Sequence, residues 1–149
     1  MAKLPTFLLF TDGACLGNPG PGGWAYILRD SSGNEVVCSG GDNETTNQKM
    51  EVTAVLRALE SLKEPSAIEI HADSQYVTKG LMEWMDGWIA KGWKNAAKKP
   101  VANQDLWKPL AKMREKHEIT TNWVKGHAGH AENERCDTIA SAEAEKRLQ

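Results

Sequence analysis

The alternation of apolar and polar residues divides this chain of 149 residues into predicted strands and helices. Short apolar runs bounded by Gly, Asn or Asp are typical of strands, and apolar residues at helical spacing are typical of amphipathic helices. Strands are predicted at residues 7–12, 24–29, 35–39, 67–73 and 119–124. Helices are predicted at residues 47–63, 75–89 (in shorter pieces), 104–116 and 133–148. Three opening strands followed by alternating helices and strands predict a mixed sheet covered by helices, of class α/β or α+β.

The segments between these elements carry turn and capping signals. Residues 17–23 have turn chemistry throughout, residues 92–102 are a predicted loop, and residues 125–132 form a loop that contains glycine. Thr45 and Gln48 have the spacing of a capping box at the start of the first helix, and Asn103 can cap a later one.

Composition places the chain among ordinary globular domains. It is 40% hydrophobic and 26% charged, and no apolar run approaches the ~18 residues of a membrane span. This excludes disordered, collagen-like and membrane classes and predicts a single domain over residues 1–149. The first residues are too short for a signal peptide, and the three cysteines form no C-x-x-C pair. We therefore expect a cytoplasmic protein with reduced thiols.

Charge is unevenly distributed along the chain. Residues 91–116 hold eight cations and two anions, whereas the rest of the chain holds 10 cations and 18 anions. A local charge of +6 suits a surface that attracts phosphates, and the acidic remainder leaves carboxylates free to cluster elsewhere.

Four acidic residues lie at positions that point to a site. Asp12 and Asp73 each end an apolar strand, where ligands collect in open α/β sheets, although either could simply begin a turn. Glu51 and Asp137 lie on helix stripes that should face the core, although either could be a first-turn acid favoured by the helix dipole. If the four converge, their repulsion requires a cation. Oxygen ligands alone favour Mg²⁺, with Mn²⁺ as a substitute, and such a site suits two-metal attack on a phosphodiester.

The basic segment alternates aromatic and cationic side chains, as in surfaces that bind a sugar-phosphate backbone. Its members are Trp84, Trp88, Trp93, Lys94, Lys98 and Lys99, with Trp107 in the next helix. The alternative for Trp84 and Trp88, four residues apart, is a place in the core. His127 and His130 lie in a glycine-containing loop where an imidazole could shuttle protons, or where one of them could cap the next helix.

Five stretches in this order resemble the bacterial type 1 ribonuclease H family over nearly the whole chain. They are TDGACLGNPGPGG at 11–23, TTNQKME at 45–51, DSQYV at 73–77, WVKGHAGH at 123–130 and ENERCD at 132–137. The resemblance implies a ribonuclease H-like α/β fold, a five-stranded mixed sheet with helices on both faces. It also implies cleavage of the RNA strand of RNA/DNA hybrids to 5'-phosphate and 3'-hydroxyl ends, by a monomer that carries two Mg²⁺ ions when substrate is bound.

The same resemblance implies roles for individual residues. Asp12, Glu51, Asp73 and Asp137 would be the four metal-binding carboxylates and His127 the mobile catalytic histidine. Contacts with the RNA strand would come from Cys15, Asn18, Asn47, Gln48 and Gln75, and a DNA phosphate would lie near Thr46. Residues 84–102 would form a basic protrusion that grips the DNA strand. Two alternatives stay open: another metal-dependent nuclease of the same fold, and a non-catalytic module that binds hybrids.

Overall fold

One mixed sheet of five strands organises the part of the chain that the structure, a computed structural model, describes: residues 4–124 and 130–148. The strands are β1 (Thr6–Cys15), β2 (Gly20–Asp30), β3 (Glu35–Thr45), β4 (Ala67–Ala72) and β5 (Glu118–Trp123). They lie side by side in the order β3-β2-β1-β4-β5. The first three pair antiparallel, whereas β4 pairs parallel with β1 and β5 parallel with β4.

The helices come from the segments between the later strands. They are α1 (Asn47–Glu60), α2 (Gln75–Lys79), α3 (Met85–Ala90), α4 (Gln104–Lys116) and α5 (Ala131–Lys146). A single π-helical turn, Gly80–Trp84, joins α2 to α3, so the predicted short pieces form one continuous helical segment. Among the described residues, no helix is both long and apolar enough to pass through a membrane.

Alternating side chains of β1 and β2 build a core on each face of the sheet, as the period of two requires. Leu9 and Leu28 pack in the larger core with residues of α1 and α4, including Val55. Phe10 and Ile27 pack on the other face with buried residues of α5. The predicted α/β class, a five-stranded mixed sheet with helices on both faces, is therefore confirmed.

Several predicted boundaries differ from those observed. β2 begins at Gly20, inside the segment predicted as turn, because Gly22 and Gly23 pair with Cys15 and Ala14 of β1. Glycines suit these strand positions, since a Cβ at Gly23 would collide with the backbone of α5.

The start of α1 also differs from its prediction. The predicted capping box at Thr45 is wrong, because Thr46 is the N-cap and its Oγ1 accepts from the Lys49 N–H at 3.2 Å. The helix ends at Glu60, three residues before the predicted end.

Candidate active site at the ends of two parallel strands

Asp12 and Asp73 stand at matching places on the neighbouring parallel strands β1 and β4. The ladder between these strands ends at the pair Phe10 and His71, and each aspartate follows two residues later. Because side chains alternate along a strand, both aspartates leave the sheet on the face where the rings of Phe10 and His71 stack at 5.1 Å. The prediction that these two acids come together is confirmed. Asp12 does not end its strand as predicted, however, because β1 continues to Cys15 through its pairing with β2.

Glu51 reaches the same place from α1 because Gly13 has no side chain. A Cβ at Gly13 would lie 2.5 Å from the backbone N of Glu51, so glycine allows the first turns of α1 to approach β1. Glu51 is 5% exposed and Asp12 2% exposed. The sequence prediction of a carboxylate on the buried stripe of α1 is thus correct.

The three side chains form one acidic cluster. Asp12, Glu51 and Asp73 each present a carboxylate oxygen, and these oxygens all lie within 4.8 Å of one another. Burial raises the pKa of Asp12 to about 8, with further contributions from the charges of Asp73 and Asp137. Burial and the charges of Asp12 and Asp73 also hold the pKa of Glu51 well above its usual value. Three acids at this spacing resist simultaneous ionisation unless a cation accompanies them.

Asp137 lies at the rim of this cluster rather than inside it. Its charge contributes to the raised pKa of Asp12, but its side chain is exposed. The inward orientation predicted for Asp137 is therefore wrong. The buried stripe of α5 runs through Asn133, Cys136, Ala140 and Ala144, so Cys136 takes the core position and Asp137 lies beside it.

The predicted histidine loop lies mostly outside the described residues. His127 belongs to the segment 125–129, which the structure does not describe. His130 precedes α5 as its N-cap residue but makes no side-chain capping bond, and its ring lies 6.0 Å from that of His71. His71 pairs with Glu69 through Nε2 at 2.8 Å.

The residues predicted to contact RNA lie close to the three clustered acids along the chain. The loop after β1 is tied to the start of α1, because Asn18 Oδ1 accepts from the Asn47 N–H at 2.8 Å. Cys15 is half-buried, with its thiol directed at the backbone oxygens of Gly20 and Thr45. Thr46, predicted to lie near a DNA phosphate, is half-buried. The other residues predicted to contact RNA are exposed: Asn18, Asn47, Gln48 and Gln75.

The tryptophans of the helical segment form a row that leads from the surface into the core. The rings of Trp84 and Trp88 lie 6.0 Å apart, those of Trp88 and Trp93 6.4 Å, and those of Trp88 and Trp107 5.3 Å. Trp84 is 38% exposed, whereas Trp107 is completely buried and its Nε1 donates to the Tyr76 hydroxyl at 3.0 Å. The substrate contact predicted for Trp107 is therefore wrong, because burial leaves this ring no surface to offer.

The lysines follow this row on a small loop. Residues 93–101 fold back on themselves through a bond from the Val101 N–H to the Trp93 carbonyl at 3.0 Å. Asn95 Oδ1 holds the tip by accepting from Ala97 N at 2.9 Å and Lys99 N at 3.1 Å. All three predicted lysines are exposed: Lys94, Lys98 and Lys99.

The acidic cluster fits a hard divalent cation, the type that prefers oxygen ligands. All three groups offer carboxylate oxygens, which Mg²⁺ and Mn²⁺ prefer, and neither sulfur nor imidazole belongs to the cluster. Glu51 Oε2 is buried and accepts no hydrogen bond from the residues that the structure describes, so it is available as a ligand. Carboxylates gathered in this way can hold the divalent ions of several classes of hydrolase, among them the enzymes that act on phosphodiesters.

Comparison with known proteins gives the family. The RNase H family model matches residues 5–145. A ribonuclease H of Aromatoleum aromaticum is 57% identical over 132 residues, covering 89% of this chain and 86% of that protein. A ribonuclease H of Paramagnetospirillum magneticum is 54% identical over 138 residues, covering 93% and 89%. The chain belongs to the RNase H family, and the predictions of this family and of an enzyme are confirmed.

Solved structures agree with this assignment. LC9-RNase H1, a type 1 RNase H with the type 2 active-site motif, superposes with a TM-score of 0.86 at 26% identity, covering 100% of this chain and 76% of that one. The fold is shared with LC11-RNase H1, solved in complex with an RNA/DNA hybrid, at a TM-score of 0.72 and 24% identity, covering 96% and 99%.

Sequence reasoning gave Asn133 no role, although the structure places it next to the cluster. It is completely buried in α5, and its side chain bonds to the backbone of two strands. A signal was available, because Asn133 has helical spacing to Ala140 and Ala144 on the small-residue stripe of the last helix. A polar residue on a buried stripe is the same anomaly that identified Glu51.

Proposed function

We propose that the chain is an endonuclease that hydrolyses the RNA strand of RNA/DNA hybrids and leaves 5'-phosphate and 3'-hydroxyl ends. The observation that carries this proposal is the cluster of Asp12, Glu51 and Asp73 within 4.8 Å, in a chain of the RNase H family. Relatives at more than half identity are named ribonuclease H, and LC11-RNase H1 has been solved with a hybrid bound.

Asp12, Glu51 and Asp73 would hold Mg²⁺, with Mn²⁺ as substitute, and Asp137 would complete the ligand set from the rim. Two such ions would activate the attacking water and stabilise the departing 3' oxygen. The fold sets the positions of the three carboxylates, because Asp12 and Asp73 extend from paired strands and Glu51 extends from a buried helix turn. We assign His127 the transfer of protons at the reacting phosphate, since imidazole titrates near neutral pH.

Discrimination between RNA and DNA would come from the polar residues beside the cluster. The 2'-hydroxyl both donates and accepts hydrogen bonds and is the group by which a protein tells RNA from DNA. We assign contacts with the RNA strand to Cys15, Asn18, Asn47, Gln48 and Gln75, and a DNA phosphate to Thr46. The bond from the Asn47 backbone N–H to Asn18 Oδ1 supports this assignment, because it holds the Asn18 side chain against the start of α1.

Residues 84–102 would be the basic protrusion of one catalytic domain and would grip the DNA strand. Trp84, Trp88 and Trp93 supply apolar surface, and the exposed lysines of the loop supply positive charge. Aromatic and cationic groups together bind a nucleic-acid backbone without reading its sequence.

We propose that the enzyme acts as a monomer in the cytoplasm. The three cysteines are free thiols, as the reducing cytoplasm favours. Light scattering coupled to size-exclusion chromatography tests the monomer, for which one mass corresponding to 149 residues is expected. A stable dimer mass would contradict it.

The function is tested by incubating labelled RNA/DNA, RNA/RNA and DNA/DNA duplexes with the protein, with and without Mg²⁺. We expect cleavage of the RNA strand of the hybrid only, dependent on Mg²⁺, with 5'-phosphate ends on the products. Cleavage of DNA/DNA would instead support another nuclease of the same fold, and binding without cleavage would support a non-catalytic module.

A further inference from the structure

The ladder between β1 and β4 opens immediately before the acidic cluster, and the side chain of Asn133 bridges the opening. The last paired residues are Phe10 and His71. Asn133 Nδ2 donates to the Thr11 carbonyl at 3.4 Å and to the His71 carbonyl at 3.0 Å. One carboxamide nitrogen therefore connects the two strands, one residue before Asp12 and two residues before Asp73.

The cluster needs such a connection because its members repel each other. The charge of Asp73 raises the pKa of Asp12, and the charges of both raise the pKa of Glu51. Beyond Phe10 and His71 the two strands are no longer paired with each other, although β1 stays paired with β2 and β4 with β5. Repulsion between the acids therefore acts where β1 and β4 share no ladder bond. A completely buried donor at the opening opposes separation of β1 from β4.

The helix that carries Asn133 is itself firmly seated. Ala140 and Ala144 of α5 are completely buried, and Gly23 of β2 lies so close to α5 that its added Cβ would fall 2.6 Å from the Cβ of Glu143. Near its other end, Arg29 of β2 donates to Glu132 at 2.9 Å. Asn133 is thus held between two anchored regions of one helix, which also carries Asp137 one turn further on.

We propose that Asn133 is a positioning residue that sets the separation of Asp12 and Asp73 and thereby the affinity of the cluster for divalent cations. The inference rests on the proposed function of this cluster. It assigns Asn133 no contact with substrate or with a reacting atom. Side chains that orient metal ligands change metal affinity or activity by about 10–100-fold when they are replaced.

The test compares Asn133→Ala with Cys136→Ala as a matched control. Cys136 is also completely buried in α5, and its thiol donates to the Phe10 carbonyl at 3.4 Å. The control therefore loses a contact with β1 but no contact that joins β1 to β4. A third variant, Asn133→Ser, keeps one hydroxyl donor and can reach only one strand. All variants are first checked for a cooperative thermal transition.

The first measurement is amide hydrogen exchange of the metal-free proteins in chelator. In Asn133→Ala we expect faster exchange on both sides of the opening, at residues 11–13 within β1 and 72–74 at the end of β4. In Cys136→Ala we expect no acceleration at 72–74. The second is calorimetric titration with Mg²⁺ and Mn²⁺, in which Asn133→Ala and Asn133→Ser should bind about tenfold or more weakly and Cys136→Ala within about twofold of wild type. In hybrid cleavage, kcat should fall about tenfold or more with KM within about twofold.

Several results would overturn the proposal. Folded Asn133→Ala with unchanged cation affinity and kcat would overturn it. Losses of cation affinity and kcat equal to those of Cys136→Ala, or wild-type cation affinity and kcat in Asn133→Ser, would also overturn it. Failure of both Asn133 variants to fold would make the residue structural and would also count against it. A wild-type protein that binds cations but cleaves no hybrid would refute the proposed function and not the role of Asn133. Hydrogen exchange and cation titration would still test that role, because neither depends on cleavage.

Discussion

Asp12 and Asp73 each lie two residues beyond Phe10 and His71, the last residues that pair β1 with β4, so one backbone register places both carboxylates on the same side of this pair. Glu51 joins them because Gly13 permits α1 to approach. Burial and mutual repulsion raise the pKa of Asp12 to about 8. The site therefore stores unfavourable electrostatic energy, which a divalent cation would relieve.

The stability of the metal-free protein should fall as pH rises from about 4 to about 8. The pKa of Asp12 is about 8 in the folded chain against an ordinary value of 3.8, so the unfolded state loses its proton first and gains stability over this interval. Melting temperature in chelator, recorded across this range, should decline for wild type and decline less for Asp12→Asn.

The same variant should melt higher than wild type in chelator at pH 8. One pKa unit corresponds to about 1.4 kcal/mol, so relief of one or two units is worth about 1–3 kcal/mol. At roughly 2–4 °C per kcal/mol for a chain of this size, the gain should be about 2–12 °C. An equal or lower melting temperature would contradict the repulsion inferred at this cluster.

Replacing Lys94, Lys98 and Lys99 together by alanine should raise KM for hybrids and flatten its dependence on salt. Each lysine that contacts a phosphate contributes about one to the slope of log affinity against log salt, so the slope should decrease by up to about three. Lys63→Ala, beyond the far end of α1, is the control and should leave the slope unchanged. A triple variant with the wild-type slope would show that the loop makes no phosphate contact.

Asn95→Ala should raise KM without removing any charge. Its side chain accepts from two backbone N–H groups that shape the lysine loop. Loss of these bonds should disperse the lysines and raise KM about two- to fivefold, with kcat within about twofold, because hydrogen bonds of this kind each contribute about 0.5–1.5 kcal/mol. Asp30→Ala removes a similar side-chain-to-backbone turn from the β2–β3 connection, and its KM should match wild type. Equal effects of the two substitutions would argue against a role for the loop in binding.

Gly80→Ala should destabilise the protein and Gly87→Ala should stabilise it. A Cβ at Gly80 would lie 2.7 Å from Cζ2 of the buried Trp107 ring, and closer still to Cη2, whereas a Cβ at Gly87 meets nothing within 4 Å. Overpacking costs about 1–3 kcal/mol, and alanine in place of glycine inside a helix gains about 0.5–1 kcal/mol. Urea denaturation measures both; similar free energies for the two variants would refute the packing of Gly80 against Trp107.

Local pattern and spacing predicted the sheet, its helices and three of the four acids because these features leave periodic traces. Alternation of apolar and polar residues predicts the strands. A carboxylate on the apolar stripe of a helix identifies Glu51 as anomalous, and Glu51 is indeed buried. The prediction was wrong where the outcome depended on neighbours in space. The sequence around Trp107 does not distinguish it from Trp84, which is exposed, but the Trp107 ring is enclosed by Tyr76 and Trp88.

Two further positions show the same limit. Helical spacing predicts Asp137 on the buried stripe of α5, but spacing alone cannot tell which of two adjacent residues faces the sheet, and Cys136 does. The role proposed for Asn133 depends on the carbonyls of Thr11 and His71, which become neighbours only once β1 and β4 have paired. No pattern along the chain contains that information.

Whether the acidic cluster performs the hydrolysis is decided by the rate at which Asp12→Asn cleaves hybrids at saturating Mg²⁺. Asp105→Asn, an exposed acid in the first turn of α4, is the control, and hybrid affinity is measured in parallel. We expect cleavage by Asp12→Asn to fall by about 10³-fold or more, which corresponds to about 4 kcal/mol of transition-state stabilisation. Its affinity for the hybrid should stay within about threefold of wild type, and Asp105→Asn should be fully active. Cleavage by Asp12→Asn within tenfold of wild type would contradict the account.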